Sequence, residues 1–304
     1  MKKSLNTVCL LALLLLIALP ACLSAQEAPT AGTLFPRKYK TGDKYRYRLT
    51  TEQLYNGKWN STSIVVIEVV VGKDSAGIPY EEVRNLSKIM RTPTDTTDMS
   101  TEAWAVKPYR ISLHPAGNIT IPKIEVPGMT GAITDFITFF VAVSPQSRVT
   151  SLNKKGDSLV NKDPARGNFA NGKTILVGDD CLAITARITD VTHKEVKLQT
   201  AFLPPAAPCL TYLLADMSKP VVNGVPNNFQ MVQPVGGGKY NVQFGNEQFY
   251  IYSTVSRADG KIKLATMSNT LQLTLRMNCD STYKNGTMEV PFHMQRNLKL
   301  ELLD

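Results

Sequence analysis

The sequence predicts a mainly β protein: antiparallel sheets, curved or sandwich-like, with about two short α-helices, at the border of α+β. Three observations predict this. Period-two alternation of apolar and polar residues returns in most legible segments. Gly-Asp pairs punctuate the chain at Gly42-Asp43, Gly156-Asp157 and Gly178-Asp179. Only two segments break the alternation in favour of a helical period.

Taken in order, Lys2 and Lys3 precede an apolar run from Val8 to Leu19 that Pro20 closes. This is a secretory leader with an apolar core too short to span a bilayer. Cleavage after Ala25 defines a leader over 1–25. The competing cut, before Cys22 in "LPAC", defines a leader over 1–21 and leaves Cys22 as a lipidation site. Residues 26–40 read as a linker. No later segment is long and apolar enough to cross as a helix.

An N-terminal β-rich half over 41–143 opens with "TGDKYRYRLTTEQ". Tyr45, Tyr47 and Leu49 share one side of a strand; Lys44, Arg46 and Arg48 share the other. "SIVVIEVVV" is apolar on both faces apart from Glu68 and reads as a central strand. "TGAITDFITFFVAV", 130–143, has a wide apolar arc with Thr134, Asp135 and Thr138 opposite, Thr130 as a cap and Pro145 as a stop. The stretch 144–175 is polar and rich in Gly, Asn, Lys and Pro, and reads as a long polar loop or an exposed hairpin between two halves.

The second half, 176–304, carries "CLAITARIT" and "EVKLQTAF", both alternating. Pro208 and the spacing of Cys209, Leu210, Leu213, Leu214 and Met217 predict a short helix near 208–218. "GGGK" at 236–239 lacks the phosphate-loop spacing and reads as a hairpin tip. In "NTLQLTLRMN", Leu271, Leu273 and Leu275 share a face. From Val290 to Leu302 the apolar residues keep even-numbered register.

The chemistry-bearing residues are sparse. His114, His193 and His293 are far apart, and no nucleophile elbow, Walker loop or paired-histidine metal pattern occurs. No cofactor and no metal site are expected. The Gly-Asp pairs lack the clustered oxygens of a calcium loop and read as turns, Gly supplying positive φ and Asp bonding local amides. Two of the 34 Lys+Arg and none of the 25 Asp+Glu fall in the leader, leaving a mildly basic chain of net +7. The charges are scattered and not interleaved with aromatics, which argues against nucleic acid as a partner. After loss of Cys9, three cysteines remain besides Cys22. Their spacing fits no metal pattern, and Cys181 and Cys209 are the expected disulfide pair, with Cys279 left as a buried thiol.

The leader, "GDKYRYRL" and the closing "RNLKLELL" resemble those of β-rich secreted envelope proteins of Gram-negative bacteria. A sheet whose apolar face is closed by a Phe-rich helix is similar, at fold level, to the lipoprotein-carrier class of periplasmic proteins. The resemblance implies the periplasm or outer membrane, or secretion. It implies a non-enzymatic binding or scaffold protein holding a hydrophobic ligand in a sheet-and-helix cleft, with Phe136, Phe139, Phe140, Leu271, Leu273 and Leu275 as the ligand-binding residues. The alternative is an outer-membrane-associated structural or interaction module that binds an envelope protein or glycan. A hydrolase with carboxylates dispersed in sequence is the third reading, weakened by the presence of only Trp59 and Trp104 as sugar platforms.

Overall fold

The computed structural model describes Leu34 and residues 37–168, 175–204, 211–213, 220–222 and 229–303. Within the unit Thr33–Asp304, the described strands join into one antiparallel sheet. In the first half these are β1 (Lys44–Tyr55), β2 (Lys58–Lys73), β3 (Pro79–Arg91), β4 (Thr96–Asp98) and β5 (Tyr109–Ile111). Then come β6 (Ser158–Asn168), β7 (Ile175–Val191), β8 (Glu195–Phe202), β9 (Thr211–Leu213) and β10 (Pro220–Val222). The last four are β11 (Phe229–Gly236), β12 (Lys239–Ser256), β13 (Ile262–Cys279) and β14 (Met288–Leu302). The lateral order is β10-β9-β7-β8-β12-β13-β14-β1-β2-β3-β4, with β11 on β12, β5 on β3 and β6 on β7.

The mainly β expectation holds, and the strands read from alternation sit where they were expected. The central pairing joins the two ends of the chain: β1 runs against β14 from Tyr47↔Leu302 to Tyr55↔Met294. This register puts Tyr45, Tyr47, Leu49 and Thr51 on the same face as Arg296, Leu298 and Leu300. The alternation carries across β13, β12 and β8. We call this the inner face. β2 lies between β1 and β3; its inner side, Val65, Ile67, Val69 and Val71, is at most 1% exposed.

Two helices lie among the described elements, α1 (Ser100–Ala105) and α2 (Thr130–Val141). α2 agrees with the sequence reading. Its start differs: a 3-10 turn at Pro127–Met129 leads in, Met129 is the cap residue, and no side chain caps it. The Thr130 carbonyl instead accepts from the Thr134 hydroxyl. α1 was not expected; Asp98 Oδ1 accepts from the Ser100 amide 2.8 Å away, where the chain turns into it. The segment near 208–218 differs from the expected helix over its described part. Thr211–Leu213 is strand β9, paired with β7 and β10. Open backbone groups of the β7 edge and the β-favouring Thr-Tyr pair outweigh the helical spacing there. Of the two forms open for 144–175, its second part takes the hairpin: β6 pairs along β7 and places Pro164 at the register shift between Asp163 and Ala165, the kind of position where a strand tolerates proline.

Gly42 and Gly156 take φ of +84° and +91°, as the turn reading requires. Gly178 does not turn: it sits inside β7, opposite Ala165. Gly236, Gly237 and Gly238, all at positive φ, form the tip between β11 and β12.

The core lies between the inner face and α2. Inner residues on eight neighbouring strands, β7 through β3 in lateral order, belong to one hydrophobic cluster with Ile133, Phe136, Ile137, Phe139 and Phe140. Eight strands laid flat would span roughly 35 Å at their usual spacing, whereas a helix is only about 10–12 Å across. Burial by one helix and its flanking turns therefore requires the sheet to curl around it. Tyr47 is the contact point, its ring meeting Phe136 and Phe140 edge-on at 5.8 Å each. A smaller cluster of Val232, Val242, Phe244, Cys279 and Tyr283 forms elsewhere; Phe244 and Val242 belong to the outward side of β12.

A buried polar clasp holds the segment before β1. Arg37 Nε donates to Glu81 Oε1 at 2.7 Å, and the Tyr45 hydroxyl donates to the same oxygen at 2.5 Å. Arg37 Nη1 also donates to the Asp259 carbonyl at 3.1 Å. Burial, and then the Glu81 carboxylate, keep the Tyr45 phenol protonated far above its ordinary range. Lys261, over the Tyr45 ring at 4.4 Å, pairs with Asp43 at 2.8 Å.

Truncating the α2 rings should remove both transfer energy and packing. Phe136→Ala and Phe140→Ala are each expected to lower stability by about 3–5 kcal/mol, measured as urea midpoints at constant slope. A loss below about 1 kcal/mol would show that the rings do not fill a close-packed core.

Candidate functional site

The expected ligand-binding residues separate into two groups. Phe136, Phe139 and Phe140 are at most 1% exposed and stand in the core cluster with Tyr47. Leu271 and Leu273 are also buried, yet they belong to neither hydrophobic cluster. They lie further along the inner face. There Leu271 pairs with Met294, Leu273 with Phe292 and Leu275 with Val290.

A polar belt crosses the inner face between the two groups. Asp135, on the N-terminal half of α2, accepts from Arg296 Nη2 of β14 at 2.5 Å. Arg296 Nη1 reaches Asn269 Oδ1 of β13 at 3.5 Å. Asn269 Nδ2 donates to Glu247 Oε1 of β12 at 2.8 Å. The strand register accounts for the alignment, because Asn269 sits opposite Arg296 on one side and Phe249 on the other. Asp135 and Asn269 are buried. Burial pushes the Asp135 carboxyl above its ordinary range despite the opposing pull of Arg296 and a hydrogen bond from Thr51. Burial likewise raises Glu247, against its bond from Asn269. Desolvation is the largest cause at both carboxyls, and at Glu247 the neighbouring Asp135 adds to it, so both groups hold their protons more tightly than in water.

Beyond the belt the inner residues of β13 and β14 are apolar again. Leu271 and Leu273 are buried; Leu275, Val290, Phe292 and Met294 are half-buried, and Met288 is 50% exposed. Exposure thus rises towards the end of the sheet. The Tyr55 ring of β1 stands 5.3 Å from Phe292 and continues the row. Gly245 faces Leu273 at φ +150°, where an added Cβ would lie 2.2 Å from the Gln272 carbonyl oxygen. Glycine is what allows β12 and β13 to approach this closely at the row.

Two open grooves lie elsewhere, both on the outward face. One, of about 490 Å³, is lined by His193, Lys194, Ser256, Arg257, Ala258 and Lys263. The other, of about 570 Å³, is lined by Lys44, Tyr45, Arg46, Arg48, Glu68 and Leu303. Neither touches the six residues expected from the sequence. Among the described residues no three His, Cys, Asp or Glu side chains come together to hold a metal ion.

Cys22 and Cys209 lie outside the described residues, and of Cys181 only the backbone, in β7, is described. Cys279 is a buried free thiol, and burial raises its pKa. Sequence reading missed the belt. Asp135 and Arg296 are 161 residues apart, and the available signals were a lone acid in an apolar helix and an arginine in the even register of β14.

No family model matches the chain, and no curated protein matches it. Among solved structures, one of lipovitellin, described as showing lipid-protein interactions, aligns at 10% identity and a TM-score of 0.37. The alignment covers 88% of this chain, which spans about a quarter, 26%, of the lipovitellin chain. A MucA/MucB complex of Pseudomonas aeruginosa aligns at 10% identity and TM-score 0.16, over 86% of this chain and 89% of that one. OccK5 (OpdH) of Pseudomonas aeruginosa aligns at 9% identity and TM-score 0.21, over 90% and 99%. None reaches the similarity at which a shared fold is inferred.

The raised carboxyls give a signed pH dependence. A carboxyl that holds its proton more tightly when folded adds stability below its unfolded value, about 4. That stability is lost as the pH rises through the folded value. Removing the titration with Asp135→Asn should therefore make the stability difference, wild type minus variant, fall as the pH is raised above about 4. Urea unfolding at a series of pH values measures it. A difference that grows with pH would show that Arg296 holds Asp135 ionised below its ordinary range.

Proposed function

We propose that the protein is a non-catalytic binding protein of the bacterial envelope. Its ligand is apolar and acyl-like and lies along the inner face of β13 and β14, on the Leu271, Leu273 and Leu275 row. One observation carries the reading: this apolar row continues past the end of the packed core, behind a polar belt, and grows more exposed towards the sheet end. An apolar surface of this kind, with polar groups at one end, suits a molecule with a hydrocarbon body. The belt of Asp135, Arg296, Asn269 and Glu247 would set the depth to which such a body reaches, because hydrocarbon placed against it would leave buried polar groups poorly solvated. The leader supports the envelope as the compartment. The α2 phenylalanines take the structural part in this reading, closing the core behind the belt.

The test is titration of the purified protein with a fluorescent fatty-acyl probe. Leu275→Asp, at a half-buried position that tolerates polarity better, and Leu273→Asp are each expected to weaken the probe by about tenfold or more, the worth of one buried leucine contact. Phe136→Ala should leave affinity unchanged while lowering stability. No saturable probe binding by the parent, or equal affinity in a folded Leu275→Asp variant, would remove the proposal.

A further inference from the structure

The two outward grooves lie at one end of the sheet, on one face. Lys44, Arg46 and Arg48 are the outward residues of β1, alternating with the buried Tyr45, Tyr47 and Leu49. Lys263 follows the buried Ile262 at the start of β13, and Lys194 sits in the β7–β8 turn. Only β14 separates β13 from β1, so the grooves are roughly 10 Å apart, two strand spacings.

Cations outnumber carboxylates here, and Lys194, Lys197 and Lys263 share one acid, Glu195. Lys44, Arg48, Lys194, Lys197 and Arg257 have no carboxylate within ion-pair distance among the described residues. Arg257 donates to the Thr192 carbonyl at 2.8 Å. The acids present are already engaged: Glu68 with Arg46 at 3.8 Å, Glu195 with Lys263, and Glu301 with Lys299 at 2.7 Å. Two exposed apolar side chains stand among these cations. Tyr252 is 52% exposed and Leu264 38%. The register sets Leu264 between Thr254 and Glu301, with Lys197 opposite Thr254 and Arg48 opposite Glu301.

We propose that this face docks on an anionic phospholipid surface. The unpaired cations meet headgroup phosphates, while Tyr252 and Leu264 enter the boundary between headgroups and chains. Cations alone would suit any polyanion. Exposed Tyr and Leu on a face that also carries Lys197 and Arg48 favour a lipid surface, where the apolar groups gain burial and each cation near the surface adds to attraction. The face is opposite the apolar row of β13 and β14, so the docking does not depend on an acyl ligand.

Co-sedimentation with vesicles of mixed phosphatidylcholine and phosphatidylglycerol, against phosphatidylcholine alone, reads the binding. The parent should bind only the anionic vesicles, less tightly as salt is raised. Combining Lys44→Ala, Arg48→Ala and Lys194→Ala should weaken binding by roughly a hundredfold, at the usual worth of a surface cation near anionic lipid. These side chains are exposed, and an unchanged melting temperature confirms the fold. Leu264→Ser, keeping every charge, should also weaken it. Failure of the parent to bind anionic vesicles, or undiminished binding by the triple variant, would overturn the proposal. Binding to soluble heparin without binding to vesicles would overturn it in favour of a glycan. Loss with the cation variant but none with Leu264→Ser would reduce the site to one for phosphate groups alone and remove the membrane docking.

Discussion

A long amphipathic sheet must keep its inner face from water, and one twelve-residue helix meets that requirement only over part of its length. Everything else in the arrangement follows from how the covered and uncovered parts are divided. The covered part is close-packed: Tyr47 takes two phenylalanine rings edge-on, and Val65, Ile67 and Val69 lie at 0–1% exposure beside it. Its boundary is the Asp135–Arg296 bridge. A bridge buried this far contributes little net stability, because desolvation offsets most of the Coulomb attraction. It does fix α2 against β14 at one height, since any slip would leave a charged group buried and unpaired.

The same division separates two kinds of leucine that look alike in the sequence. Leu298 and Leu300 of β14 lie under the helix in the core; Leu271 and Leu273 of β13 keep the same alternation and lie outside it. The belt residues interrupt the alternation at the place where the environment changes. On the opposite side, Lys44, Arg46 and Arg48 use the polar half of the same alternation. One strand thus supplies the core at Tyr47 and a cationic surface one residue away.

The elements that were legible in the sequence were those whose burial is set locally. β1, β2, β8, β13 and β14 each show one apolar face over many residues, and α2 shows its arc of Ile133, Phe136, Ile137 and Phe140. β6 was legible only as one of two options, loop or hairpin, and β9 was misread as helix, because their strand character comes from pairing with β7 rather than from their own pattern. "GDSLVNKDPARGN" carries a proline and several turn formers, and it is a strand because a partner edge is available. α1 is six residues long, too short for a period to declare itself. The row Leu271, Leu273, Leu275 could be read as a face, but not assigned to core or ligand. That distinction depends on which part of the sheet α2 covers, and so on the contact of Asp135 with a residue far along the chain.

The central claim is that the β13–β14 row, and not the helix-covered core, meets an apolar ligand. Methyl NMR of a leucine-labelled sample during titration with a soluble fatty acid tests it directly. The methyl signals of Leu271, Leu273 and Leu275 should shift together and saturably, while those of Leu49, Leu298 and Leu300 stay in place. Shifts centred on the core leucines, or no shift at any leucine, would contradict it.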